Sequence, residues 1–289
     1  MKIVFKLLFS FIVLLFAFNM QAQSDEEMKE SSEPMEGKYL DDVVNRTLTF
    51  ESKVLPYESL RESDVPWSKK MWRLIETREK LNIAFRNPNR AFFTILIDKI
   101  KEGKVTAFED EFFKEPLTNE QVQGKIFRID SVPYYDPETY EETIEVVKSE
   151  INPDNINRYR IKEVWYFDKE SSMLKVRILG ISPLVEEIDE ITGELKYELP
   201  LFWVYYPELR EYLADEPVPS DYNDMFPMTW YDLFENRMFS SYIIKTSNVL
   251  DLRLKDIYAK SNTEDMDILL ESERLKEELF NFEHDLWSY

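Results

Sequence analysis

The chain of 289 residues contains no cysteine, one histidine and five glycines. Without cysteine it has no disulfide framework, no thiolate metal site and no cysteine for a lipid anchor of its own. A single histidine, His284, excludes a cysteine–histidine nucleophile pair and a histidine-rich zinc site. The glycines form no phosphate-binding loop of the known kinds. We therefore predict no catalytic residues, no metal ligands and no cofactor.

His284 lies between Glu283 and Asp285, in a segment with helical periodicity. Consecutive residues of a helix point about 100° apart, so these three side chains cannot converge on one site without help from elsewhere. We interpret His284 as a structural residue of the last helix. Acidic pairs are frequent throughout the chain and have little diagnostic value for catalysis.

Acidic residues far outnumber basic ones, and the formal charge is −21. This excess disfavours nucleic acid and anionic lipid surfaces, because their phosphates would be repelled. It favours partners with basic surfaces. Long apolar runs are also missing outside the first 22 residues. We expect no membrane span in the mature protein.

The segment Met1–Ala22 has the pattern of a secretory signal peptide. Lys2 and Lys6 precede an apolar run, Leu7–Phe18, that only Ser10 interrupts. An uncleaved membrane anchor is the alternative, but the run is short for a spanning helix and a polar, acidic segment follows. We predict cleavage near Ala22, which leaves 34 basic and 57 acidic residues and a formal charge of −23.

The rest of the chain divides into two parts. Residues 23–60 are predicted to be an acidic, disordered lead-in followed by an extended arm that begins at Tyr39. Residues 61–289 are predicted to be one domain, because that length suffices for a sizeable core.

The stretch Val65–Leu81 is predicted to be the first helix. Trp67, Met71, Leu74, Ile75 and Arg78 fall at helical spacing. Trp72 lies five residues after Trp67, about 140° around such a helix, so the two rings cannot share one stripe. We expect Trp67 to pack into the core and Trp72 to point towards another element or outward. Trp72 is therefore the candidate interface residue.

Four further helical segments are predicted. One carries Phe92 to Ile100 and is closed by Gly103. A short one begins at the capping box Thr118–Gln121. A third is expected from the spacing of Trp230, Phe234, Met238 and Tyr242. The last is opened by a capping box at Ser261–Glu264, and its apolar stripe consists of Leu275, Leu279, Phe282 and Leu286.

Two β-hairpins are predicted between these helices. Tyr159–Phe167 and Met173–Ile181 form the first; with Phe167 opposite Met173, Glu163 would face Arg177. Leu184–Ile191 and Leu195–Tyr206 form the second, with Thr192-Gly193 at the turn. The apolar run Leu201–Tyr206 should be a strand buried on both faces, ended by Pro207. The fold class is therefore α+β, with helical N- and C-terminal segments packed on a central antiparallel sheet built from hairpins.

The first predicted helix also carries a long motif, W-S-K-x-x-W-R-x-I-x-x-R-E-K-x-N, from Trp67 to Asn82. This motif resembles the signature of the GldN family of gliding-motility proteins, called PorN in non-gliding relatives. Further blocks resemble the family and extend the likeness from about Leu60 to Tyr289. They are Arg90–Phe93, Lys104–Phe108, Lys245–Asn248, Leu270–Glu273 and Leu279–Trp287.

The resemblance implies a periplasmic component of the type IX secretion machinery of Bacteroidetes-type bacteria. It implies binding to an outer-membrane lipoprotein of the GldK/PorK type, in a ring of many copies that is associated with the outer membrane through that partner. Other periplasmic components of the secretion motor are possible further partners. The implied role is that of a scaffold, not an enzyme.

Two alternatives from other classes remain open at this point. One is an acidic periplasmic enzyme that acts on polysaccharide through two carboxylates, and the other is a carbohydrate-binding module. A deep cleft with two converging carboxylates of raised pKa would favour the enzyme. The aromatic and acidic segment Tyr134–Glu142 is a candidate for a calcium or carbohydrate site, but it lacks the spacing of a calcium-binding loop.

Overall fold

The computed structural model describes residues 54–135, 142–188, 195–219, 228–259 and 263–287. Several predicted features lie outside the described residues. They are the signal peptide, the lead-in and most of the arm, the Thr192-Gly193 turn, most of Tyr134–Glu142, and Ser261.

Within the described residues, seven strands form one antiparallel sheet and two form a separate ribbon. The sheet order is β2-β8-β6-β5-β1-β9, and β7 also pairs with β6. The strands are β1 (Trp67–Glu76), β2 (Ala107–Phe108), β3 (Phe127–Tyr135), β4 (Glu142–Glu150), β5 (Arg158–Asp168), β6 (Met173–Ile188), β7 (Leu195–Pro200), β8 (Trp203–Tyr205) and β9 (Tyr242–Thr246). The ribbon is β3 with β4.

Six α-helices accompany these strands in the described part of the chain. They are α1 (Phe92–Lys101), α2 (Asn119–Ile126), α3 (Tyr206–Ala214), α4 (Trp230–Glu235), α5 (Leu254–Tyr258) and α6 (Glu264–Trp287). A 3-10 helix, Lys80–Arg86, follows β1. The chain is therefore α+β with a central antiparallel sheet, and the predicted fold class is confirmed.

A strand occupies the stretch that the sequence predicts to be the first helix. β1 pairs with β5 over its whole length, from Trp67 opposite Phe167 to Glu76 opposite Arg158. The helix prediction for Val65–Leu81 is therefore wrong. The cluster of apolar residues in this stretch fits a helix, but it equally fits a strand covered on both faces. Pairing with β5 decides between them, because tertiary context overrides a local pattern.

The first hairpin is confirmed, but its register is one residue away from the prediction. Asp168, not Phe167, lies opposite Met173, and the same one-residue offset places Glu163 opposite Ile178 instead of Arg177. A bulge between Lys162 and Glu163 then shifts the pairing again, so that Lys162 lies opposite Gly180. Asp168 sets this register, because its carboxylate accepts hydrogen bonds from the Glu170 N–H and the Ser171 hydroxyl. These bonds organise a tight turn before β6 begins.

The second hairpin is confirmed where it is described, since β6 pairs with β7 from Leu184 opposite Pro200 to Ile188 opposite Leu195. The long strand predicted for Leu201–Tyr206 is wrong, because only Trp203–Tyr205 is a strand and α3 begins at Tyr206. Pro207 lies in the first turn of α3, where its missing N–H is not needed. It starts a helix instead of simply ending a strand.

The helix predicted from Trp230 to Tyr242 ends at Glu235, and Tyr242 begins β9 instead. Arg237 has a left-handed backbone with φ 55°, and the Met238 N–H donates to the Leu233 carbonyl at 2.9 Å. This is the hydrogen-bond pattern of a Schellman motif, which stops a helix. The four-residue spacing of the aromatic residues beyond α4 was therefore coincidental.

Three predicted helix features are confirmed. α1 carries six buried apolar side chains, and Gly103 follows it with φ 70°. The capping box of Thr118 and Gln121 is present at the start of α2. α6 turns Leu275 and Leu279 inward.

The sheet has two cores on the same face of β1 and β5. The larger core contains a group of aromatic rings in tilted or edge-to-face contact, with the centroids of contacting rings 4.6–6.2 Å apart: Phe85, Phe92, Tyr159, Trp230 and Phe234. The smaller core lies beneath α6 and contains Met71, Ile243, Leu254, Leu275 and Leu279. Clusters of this kind stabilise a fold through the apolar area that they remove from water.

Candidate interface on the central sheet

Trp67 and Trp72 lie on opposite faces of β1, because side chains alternate along a strand and the two residues are five positions apart. The Trp67 ring is partly buried, with its centroid 4.7 Å from that of Phe282 in α6. Trp72 is the more deeply buried of the two, with only 5% of its surface exposed. The two rings do point in different directions, as the sequence predicts. The order of burial is the reverse of the expected one, because a loop covers the second face of the sheet.

Trp72 is held between charged side chains of three elements. Its strand neighbours in register are Lys162 of β5 and Lys245 of β9. The Lys245 ammonium lies 4.5 Å from the Trp72 ring centroid, and the Lys162 ammonium lies 5.7 Å from it. Two cations beside one indole ring are a favourable cation–π arrangement. The Trp72 indole N–H donates to the Glu111 carboxylate at 2.8 Å.

Lys162 of β5 also connects the sheet to the loop that carries Glu111, through a hydrogen bond to the loop backbone. Its side chain is buried, and the ammonium donates to the Glu111 carbonyl oxygen at 2.6 Å. Burial lowers the pKa of Lys162, and the charge of Glu111 opposes that shift. The Phe112 and Phe113 rings lie 4.9 Å and 5.6 Å from the same ammonium. The buried cation is therefore stabilised by a carbonyl dipole and two aromatic rings, and by the nearby charge of Glu111.

The loop between β2 and α2 carries one anchored and one exposed phenylalanine. Phe113 has a left-handed backbone with φ 59°, which is a strained conformation for a bulky residue. Its ring packs over Gly180, where an added Cβ would lie 2.5 Å from the ring. Phe112, next to it, is 60% exposed. The strained anchor thus holds Phe112 at the surface, beside the ammonium of Lys162, which also flanks Trp72.

A buried ion pair joins the sheet to the turn after α4. Glu163 is fully buried, and the Arg237 guanidinium donates to both of its carboxylate oxygens at 2.9 Å and 3.2 Å. The Trp165 indole N–H donates to the same carboxylate at 3.0 Å. The charge of Glu163 also acts on Arg73 and raises its pKa, but burial of Arg73 has the larger effect and lowers that pKa. A fully buried carboxylate that pairs with a guanidinium and accepts three hydrogen bonds is suited to fixing geometry.

A separate cluster of three carboxylates surrounds Arg158. Its guanidinium contacts Glu76 at 2.5 Å, Glu186 at 3.7 Å and also Glu198. Arg78 lies 3.9 Å from both Glu76 and Glu186. This is the arrangement closest to the carboxylate pair that the polysaccharide hypothesis required. Two arginines occupy the space between the acids, so the cluster is organised as an ion-pair network.

The described end of the arm is attached to the domain at Tyr57. The Arg210 guanidinium lies 3.7 Å from the Tyr57 ring centroid and donates to the Leu55 carbonyl at 3.1 Å. The Tyr57 hydroxyl donates to Glu235 at 3.3 Å. Burial, together with the Glu235 charge, raises the pKa of Tyr57. Residues 54–58 therefore form a strap across α3 and α4, which the sequence predicted only as an extended arm.

His284 is exposed on α6. Among the described residues, no three His, Asp or Glu side chains are placed to share a metal ion. The residue that sequence reasoning missed is Phe112. The signal was present as a pair of phenylalanines within the charged run Glu109–Glu115, where apolar residues are otherwise absent. Only the structure shows that one ring is anchored and the other exposed.

The chain matches the family described as gliding motility associated protein GldN over residues 60–288. It belongs to that family, which is associated with gliding motility and type IX secretion and is not a known enzyme family. A comparison with curated proteins gave no match. Among the helices that the structure describes, none has the length and apolar character needed to cross a lipid bilayer.

Proposed function

We propose that this protein is a periplasmic scaffold of the type IX secretion and gliding machinery, without catalytic activity. It binds an outer-membrane lipoprotein of the GldK/PorK type and forms a ring with it. The observation that carries the proposal is the family match over residues 60–288. Met1–Ala22 serves as the export signal, residues 23–60 as the lead-in and arm, and 61–289 as the scaffold domain.

The charge and the absence of cysteine support this role. A chain without an acylatable cysteine needs a partner to reside at a membrane. An acidic surface favours a basic partner and disfavours anionic lipid. The clustered acids Glu76, Glu186 and Glu198 pair with Arg158, so this part of the described chain gives the polysaccharide alternative no support.

Trp72 contributes to assembly through the loop that it holds. Its ring has little free surface, but its indole N–H fixes Glu111 and thereby the exposed Phe112. An exposed phenylalanine on an anchored loop is a suitable contact residue, because aromatic anchors dominate many interfaces and little ordering entropy is lost on binding.

Affinity purification of the tagged protein from gently solubilised outer membrane tests the proposal. We expect co-purification with a lipoprotein in particles much larger than the 34.8 kDa chain. Phe112→Ser should reduce the yield of lipoprotein, whereas Ile83→Ser, which also alters an exposed apolar residue, should not. Recovery of a small monomer without any lipoprotein would refute the scaffold role.

A further inference from the structure

The outward side of α6 carries a second apolar stripe. Met266, Leu269, Leu270 and Phe280 are 49–69% exposed, while Leu275 and Leu279 of the same helix are buried. At about 100° per residue, the four exposed residues lie within about 100° of one another and point away from the buried side. A surface helix that packs on one core is normally polar on its far side. The apolar far side therefore needs an explanation.

The stripe has a regular charge pattern. Met266, Leu269 and Leu270 form one apolar group in the first turns of α6. Phe280 forms another about 15 Å further along the helix, at 1.5 Å per residue. Glu273 and Glu277 lie between the two groups at the spacing that places them on the same stripe. Over its full length, Glu264–Trp287, the helix has nine acidic and two basic residues.

We propose that this stripe is a docking surface for an amphipathic helix of a different protein, with apolar residues at both ends of its contact face and Lys or Arg between them. The apolar ends would bury Leu270 and Phe280, and the basic centre would pair with Glu277 and compete with Lys276 for Glu273, which accepts from the Lys276 ammonium at 2.5 Å. The inference deepens the proposed scaffold function and rests on it, since it assigns the surface for one partner.

The same charges disfavour two other occupants of the stripe, a second copy of α6 and an anionic lipid surface. A second copy of α6, packed in either direction with the apolar groups matched, would bring Glu273 and Glu277 of one copy against the same residues of the other. Like charges in such positions destabilise helix pairs. An anionic lipid surface would be repelled by the same acids.

Binding of two synthetic helical peptides to the purified protein tests this. Both peptides have leucines at the two ends of one face; the first has lysines between them and the second has glutamates. We expect the lysine peptide to bind by fluorescence anisotropy and the glutamate peptide to bind about tenfold more weakly or not at all. Leu270→Ser and Phe280→Ser should each weaken binding of the lysine peptide about tenfold. Ile83→Ser, an exposed apolar residue outside α6, is the matched control and should leave it unchanged.

The double substitution Glu273→Lys/Glu277→Lys should reverse the preference between the peptides. Equal binding of both peptides would overturn the proposal. It would also be overturned if Ile83→Ser weakened binding of the lysine peptide as much as Leu270→Ser and Phe280→Ser do. So would self-association that Leu270→Ser abolishes, or binding to phosphatidylcholine–phosphatidylglycerol vesicles that Phe280→Ser abolishes. Lipoprotein co-purification is measured separately on the same variants. If it persists while the peptides fail to bind, the docking surface is wrong and the scaffold function stands.

Discussion

The Trp72 indole N–H donates to the Glu111 carboxylate at 2.8 Å, which joins β1 to the loop that exposes Phe112. This contact connects the buried structure to the surface in one step. A rigid connection matters for a scaffold, because an interface residue that is already held in place loses less entropy on binding. The loop, the sheet and the flanking lysines should therefore respond together to substitutions at Trp72.

Trp72→Ala should destabilise the fold by about 3–5 kcal/mol, as large aromatic truncations in cores do. Trp67→Ala should cost less, about 1–3 kcal/mol, because its ring is only partly buried. Urea unfolding followed by circular dichroism measures both values. Phe112→Ala serves as the control and should stay within about 0.5 kcal/mol, because its ring is exposed. A larger cost for Trp67→Ala than for Trp72→Ala would contradict this order of burial.

Removal of Arg237 should be costly, because it leaves the fully buried Glu163 carboxylate without its cation. We expect Arg237→Ala to lower the free energy of unfolding by about 3–5 kcal/mol. Adding Glu163→Gln to that variant should recover part of the loss, since a neutral amide is less costly to bury than an unpaired charge. Additive losses in this double-mutant cycle would show that the two residues do not act as a pair.

Asp168, in the turn between β5 and β6, should make the free energy of unfolding depend on pH in the acidic range. The hydrogen bond from Lys175, followed by that from the Ser171 hydroxyl, lowers the pKa of Asp168 to about 2. A carboxyl whose pKa is depressed in the folded state contributes stability above its unfolded pKa of about 3.9, and that contribution is lost as the pH falls towards 2. The stability difference between wild type and Asp168→Asn should therefore narrow between about pH 4 and pH 2. When both proteins also carry Lys175→Met, this stability difference should change much less between about pH 4 and pH 2. If it narrows as much as it does with Lys175 present, the effect belongs to another group.

Strand pairing and turn geometry mark the limit of what the sequence could predict. Helix ends with local chemistry were predictable: Gly103 and the Thr118–Gln121 box act through residues adjacent in the chain. β1 was not, because its apolar residues fit a helix, and only the distant strand β5 decides its conformation. The hairpin register was also missed, since it depends on the hydrogen bonds that Asp168 makes in the turn.

The candidate interface shows the same limit. The sequence identified Trp72 and the opposite directions of the two tryptophans, although through a helical argument that proved wrong. It could not identify Phe112, because its exposure depends on Phe113 fitting over Gly180, which lies on a strand far away in sequence. Whether Trp72 contributes to assembly stays a prediction.

His284→Ala should leave type IX secretion intact, because the side chain is exposed and we propose no chemistry for it. The free energy of unfolding should change by less than about 0.5 kcal/mol. Secretion of a reporter cargo by cells that carry the variant measures this. A variant that folds and assembles normally, yet abolishes secretion, would reopen the question of a catalytic role.

Sedimentation velocity of the protein co-expressed with its lipoprotein partner tests the scaffold account most directly. The account predicts a large, discrete species that contains many copies of both proteins. It also predicts that the Phe112→Ser sample shifts towards free monomer, smaller than the 34.8 kDa full chain, while its melting temperature is unchanged. A wild-type sample that sediments only as a monomer beside free lipoprotein would contradict the central claim.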